Sequence, residues 1–72
     1  MPYIDRDLLN LKIKRANMTN DSVAKELGVD RSTLYRHLRE GSLTVAEVHD
    51  LGKLLKLTAE DIYEIFFAHA VA

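Results

Sequence analysis

Ten Lys/Arg, eleven Asp/Glu and three His are the side chains with which this 72-residue chain can do chemistry, and it has no cysteine. His37, His49 and His69 lack metal-ligand spacing and have no acidic or cysteine cluster beside them suited to zinc, so no metal site is expected. No Ser/His/Asp set, Gly-rich phosphate loop or buried carboxylate pair is legible, and so small a domain leaves little room for a substrate pocket. An enzyme, a cofactor and a small-molecule substrate are therefore not expected. What remains is a dense run of hydrogen-bond donors, Arg31-Ser32-Thr33-Leu34-Tyr35-Arg36, with Arg39 and Ser42 close behind. Its arginines carry planar donor forks that stay charged at any physiological pH.

Those donors need elements to hold them, and apolar spacing supplies five helices. Leu8, Leu9, Ile13 and Ala16 recur at three- and four-residue intervals after Asp5 and Asp7, which predicts a first helix over 6–17 with Lys12, Lys14 and Arg15 on its outer face. Thr19 caps a second, short helix burying Val23, Ala24 and Leu27, and Gly28 ends it. Asp30 is the expected N-cap of the third helix, 31–39, which turns Leu34 and Leu38 inward and Arg31, Ser32 and Arg36 outward. Thr44 with Glu47 forms a capping box for a fourth helix, 45–56, whose apolar stripe is Val45, Val48, Leu51, Leu54 and Leu55. Thr58 with Asp61 does the same for a fifth, 59–69. No strand signal is present, so the fold class is all-α.

A 47% hydrophobic chain of this length closes one modest core, and residues 1–72 are expected to form a single domain. Nothing at the start resembles a secretory signal, and no stretch approaches the roughly 20 apolar residues that span a bilayer. A soluble protein of the cytoplasm, without a membrane partner, is the expectation. Net charge is −1. It is unevenly spread, with eight Lys/Arg against six Asp/Glu in residues 1–40 and two against five in 41–72. The front half can face phosphate and the back half cannot, and non-specific affinity for DNA should be modest.

Residues 20–36, Asn20-Asp21-Ser22-Val23-Ala24-Lys25-Glu26-Leu27-Gly28-Val29-Asp30-Arg31-Ser32-Thr33-Leu34-Tyr35-Arg36, resemble the helix-turn-helix of Cro and lambda-type phage repressors. Ala24 is small where the two helices cross, Gly28 makes the turn, and Val29 and Leu34 fill the wedge. Gly52 stands where the family keeps a small residue under helix packing, and the likeness extends over roughly 8–67. Two positions depart from it. His37 replaces a buried aliphatic residue, a role Leu38 can assume, and Glu40 brings an acid near the expected phosphates. The resemblance implies a five-helix, lambda-repressor-like DNA-binding domain with its helix-turn-helix unit at about 19–39. It also implies a bacterial host, and double-stranded operator DNA as the partner of the third helix. Arg31, Ser32 and Arg36 would then read bases, whereas Asn20, Thr33, Tyr35, Arg39 and Ser42 would hold phosphate or a partner.

The fifth helix carries more apolar side chains than one face can bury: Ile62, Tyr63, Ile65, Phe66, Phe67 and Val71. Either these complete the core, or Tyr63, Phe66 and Phe67 form a dimer or partner interface. A homodimer is the family-like arrangement, with two recognition helices about 34 Å apart. The acidic back half, Glu40, Glu47, Asp50, Glu60, Asp61 and Glu64, together with Tyr35, suits another partner: the basic DNA-reading face of a phage CI-type repressor. Size and acidity resemble, more loosely, the small modulator-of-repression antirepressors of temperate phages.

Overall fold

Along residues 4–68, which the computed structural model describes, the polar residues that break the apolar pattern start helices. The elements are α1 (Arg6–Arg15), α2 (Asn20–Leu27), α3 (Arg31–Glu40), α4 (Val45–Leu54) and α5 (Ala59–Ile62), the last continuing into a π-helical turn, Tyr63–Phe67. No strand occurs among the described residues, and the five-helix, all-α reading holds. None of these helices is long and apolar enough to cross a membrane.

Three threonines open helices by one device. Thr19, Thr44 and Thr58 each accept the backbone N–H of the residue three positions on, and the side chains of Ser22, Glu47 and Asp61 accept the threonine N–H in return, all at 2.9–3.1 Å. Two orphan donors are satisfied at each start. Asp5 caps α1 through Leu8 N–H at 3.0 Å, and its own N–H donates to the Ile65 carbonyl at 2.8 Å, tying the start of the chain to the π turn. Asp30 departs from expectation. It occupies the N-cap of α3, but its side chain makes no capping hydrogen bond. The turn before it is held by backbone instead, Gly28 N–H to Lys25 and Val29 N–H to Ala24.

Helix ends also differ from the sequence reading. α1 stops at Arg15 and α4 at Leu54, two residues early in each case, because Asn17 and Lys56 enter the left-handed region at φ 57° and 55°. The following N–H groups, of Met18 and Leu57, fold back onto the Ile13 and Gly52 carbonyls. α3 runs one residue further than expected, to Glu40, and Leu38 thereby reaches the core. The fifth helix is α-helical for only four residues; Ala68 N–H then donates to the Tyr63 carbonyl, the wider i→i+5 bond of a π turn. His69 and Val71 lie outside the described residues.

Leu9, Ile13, Val23, Leu34, Leu51 and Ile65 are the centre of one core drawn from α1 to α4 and the π turn, with Ile62 of α5 packed against it. Gly52 does what the family resemblance implied: a Cβ there would meet Ile62 Cδ1 at 3.1 Å, so its absence lets α5 lie close on α4. Three expectations about burial are corrected. Val45, read as the first residue of the α4 stripe, is 88% exposed. At about 100° per residue it sits on the edge of the stripe centred on Leu51 and Leu55, and in a first turn the N-terminal tilt of Cβ carries the side chain off the helix end. Phe66, read as an interface residue, is only 7% exposed and belongs to the core, beside Ile65. Lys12, assigned to the outer face of α1, is partly buried and pairs with Asp61 at 3.2 Å, joining α1 to α5.

Candidate nucleic-acid interface

The α2–turn–α3 unit follows from three small or apolar residues. Ala24, almost fully buried, permits close approach of the helices; Gly28 turns the chain at φ 76°; Leu34 packs beneath. Leu34 and Leu38 define the inward side of α3. At about 100° per residue, Ser32 and Arg36 then point directly away, with Arg39 and Glu40 beside them. All four are exposed. Arg31 and Tyr35 fall on the flank facing α2, and Thr33 and His37 on the opposite flank. Ser42 lies just beyond Gly41, exposed, with its N–H on the His37 carbonyl at 2.9 Å.

Each flank is tied to a neighbouring helix. On the α2 side Asp21 pairs with Arg31 at 3.3 Å, both well exposed, and Asn20 Nδ2 donates to Tyr35 Oη at 3.0 Å. The guanidinium of Arg6, from the first residue of α1, lies 5.5 Å from the centroid of the Tyr35 ring, within cation–π reach. On the other side His37 Nδ1 meets Glu47 Oε2 at 3.1 Å, while Glu47 Oε1 caps α4. Burial pushes the Glu47 carboxyl up, but the Thr44 backbone N–H, His37 and the Thr44 hydroxyl outweigh it and hold it below its ordinary 4.5. The Asp61 carboxyl is likewise lowered, first by the Thr58 backbone N–H and, against some desolvation, by Lys12.

The expected base-reading residues Arg31, Ser32 and Arg36 thus share one helix, with Arg31 held to the α2 flank by Asp21 and the other two at the centre of the outer face. Asn20 and Tyr35 are brought together, Thr33 is half-buried, and Arg39 and Ser42 are exposed. Sequence spacing did not single out Arg6, Asp21 or Glu47 as neighbours of α3. Each is ten or more positions from the residue it touches, and only the crossing of the helices unites them.

Away from α3, Tyr63 and Phe67 are 51% and 48% exposed. Phe67 lines an apolar groove of about 270 Å³ with Ile4, Leu43, Val45 and Val48, and Phe66 forms its floor. Of the acids expected to face a partner, Glu47 and Asp61 are spent internally, and Glu40, Asp50, Glu60 and Glu64 remain exposed. Among the described residues no group of three or more His, Asp or Glu is placed to hold a metal.

Residues 1–40 match the winged helix-turn-helix DNA-binding family model, a segment that ends on the last residue of α3. No curated protein and no solved structure matches the chain.

Proposed function

The chain belongs to the winged helix-turn-helix DNA-binding family, and from that premise we propose that it is a transcriptional regulator that lays α3 in the major groove of an operator. The observation that carries the reading is the uncovered outer face of α3. Ser32, Arg36 and Arg39 are exposed there, and neither arginine is committed to an ion pair among the described residues. Arg36 and Arg31 read guanine O6 and N7 with Ser32 beside them, whereas Asn20, Thr33, Tyr35, Arg39 and Ser42 bond phosphate oxygens. The Asp21 pair does not bar Arg31 from a base: an exposed ion pair contributes about 0–1 kcal/mol, against about 1–3 for a bidentate guanine contact.

The family match ends with α3, and beyond it α4 and α5 stand where a wing would require strands, which favours a five-helix, Cro-type phage regulator. One copy, with a net charge of −1, has little electrostatic hold on DNA. The regulator therefore works as a homodimer in a bacterial cytoplasm, joined through exposed Val45, Tyr63 and Phe67, with two copies of α3 about 34 Å apart.

The exposed acids Glu40, Asp50, Glu60 and Glu64 favour a second reading, an antirepressor that seizes the basic DNA-reading face of a CI-type repressor. One gel-shift experiment separates the two, using the DNA flanking the gene with this protein alone, with the neighbouring repressor alone, and with both. A regulator shifts the DNA by itself, and Arg36→Ala relaxes its sequence preference by about 1–3 kcal/mol. An antirepressor shifts nothing but abolishes the repressor's shift. No shift by the protein alone at low salt refutes the operator-binding reading.

A further inference from the structure

The Arg6 side chain has no role in the reading of α3 given so far, yet it is one of three donors that the fold gathers on one flank of that helix. Arg6 comes from α1, Asn20 from α2 and Tyr35 from α3. We infer that these three side chains form a preorganised station for one phosphodiester of duplex DNA, with Arg6 as its charged member. The inference rests on the proposal that α3 enters the major groove.

Tyrosine hydroxyl has one proton to donate and lone pairs to accept with. Asn20 Nδ2 already occupies an acceptor position of Tyr35 Oη at 3.0 Å, which leaves the phenolic proton to donate outward. Half-buried Arg6 lies over the ring of the same tyrosine at 5.5 Å and makes no ion pair among the described residues, so no carboxylate there already neutralises its charge. A neutral O–H and a guanidinium held beside one another are the donors that an anionic oxygen takes, and bidentate Arg–phosphate bonds are among the stronger protein hydrogen bonds.

Position on the helix selects phosphate over a base. An α-helix with its side chains is about 10–12 Å across, and the major groove is about 12 Å wide, so a seated helix meets bases with its outer face and phosphate ridges with its flanks. Tyr35 is on the α2 flank, and Arg6 reaches it from a helix that never enters the groove. The acid on this flank, Asp21, is paired with Arg31, whereas on the opposite flank His37 is taken by the Glu47 carboxylate and exposed Glu40 makes no ion pair among the described residues. Phosphate contact is therefore lopsided, and the ridge beside α2 carries the anchor.

Fluorescence anisotropy on a short random-sequence duplex, titrated with salt, tests the station without knowledge of the operator. Arg6→Gln should lower the slope of log affinity against log salt by about one, because one fewer counterion is released. Tyr35→Phe keeps the ring under Arg6 but loses the hydroxyl; it should weaken binding about tenfold at unchanged slope. Arg15→Gln, an exposed arginine at the far end of α1, should alter neither. Thermal melting of each variant checks that the fold is kept, and if Arg6→Gln unfolds, Tyr35→Phe and Arg6→Lys still decide. Arg6→Lys should keep the slope and lose affinity, since a point charge replaces the fork. Wild-type binding with Arg6→Gln unchanged, or with Arg15→Gln equally affected, overturns the station and leaves the DNA reading standing. Wild-type protein that binds no duplex at low salt overturns both.

Discussion

Glu47 serves two helices with one carboxylate. Oε1 closes the capping box of α4 and Oε2 holds His37 on the flank of α3, so a charged group takes part in the contact between α3 and α4. Its pKa is lowered in the fold, and a carboxyl lowered on folding contributes stability above its unfolded pKa that is lost as pH falls through the folded value. The Glu47 carboxyl starts from an ordinary 4.5, so the loss sets in below that pH. Asp61, lowered by the Thr58 N–H and by Lys12, adds to the same acid limb. Thermal denaturation between neutral pH and pH 3 should therefore show a falling melting temperature. Glu47→Gln, which can still accept the Thr44 N–H, should start lower and fall less steeply. A variant with the wild-type acid limb would show that the Glu47 charge contributes nothing.

Helices in this chain are legible where the signal is local and obscure where it is not. Thr44 with Glu47 and Thr58 with Asp61 are capping boxes within four residues, and the structure has both; Thr19 is legible as a cap, whereas the closure of its box by Ser22 is not. Lys56 ends α4 in the left-handed region with no residue type to announce it, whereas Asn17, at the end of α1, is the non-glycine type that enters that region most readily. The π turn is not legible either, since Tyr63-Glu64-Ile65-Phe66-Phe67 continues the helix without a proline or glycine to mark the change. Pairs such as Arg6 with Tyr35 depend on how helices cross, which spacing along one helix does not encode. The left-handed positions give a clean test. A Cβ at Gly28 would touch nothing within 4 Å, so Gly28→Ala isolates the conformational penalty, about 1 kcal/mol after the entropy of glycine is credited to the unfolded state. Lys56→Gly should act in the opposite sense by a smaller amount. In a domain of this size 1 kcal/mol is about 4–8 °C in melting temperature, which calorimetry resolves; a Gly28→Ala variant as stable as wild type would refute the strain assigned there.

The whole molecule has two faces with different debts. The α3 face is polar and uncovered; the face bearing Val45, Tyr63 and Phe67 is apolar and uncovered. In the sequence both the fold class and the donor run on α3 are legible, but Val45, expected in the core, is outside, and Phe66, a candidate for either core or interface, is inside. The exposed Val45 supplies a decisive variant for the proposed homodimer. Val45 is the first residue of α4, and at 88% exposure it gives little to the monomer's core. An acid at this first-turn position interacts favourably with the helix dipole, typically by about 0.3–1 kcal/mol at an exposed site. Val45→Asp should therefore leave the monomer as stable as before or slightly more so, while placing two like charges across a two-fold contact. Sedimentation of the wild-type protein should show association that grows with concentration, and Val45→Asp should remain monomeric at every concentration with an unchanged or raised melting temperature when dilute. Operator affinity should fall with it, because a lone copy keeps only one recognition helix on the DNA and the added acid makes the natural net charge of −1 more negative by one. If Val45→Asp dimerises like wild type, this face is not the seam, and the two-fold operator geometry built on it falls with it.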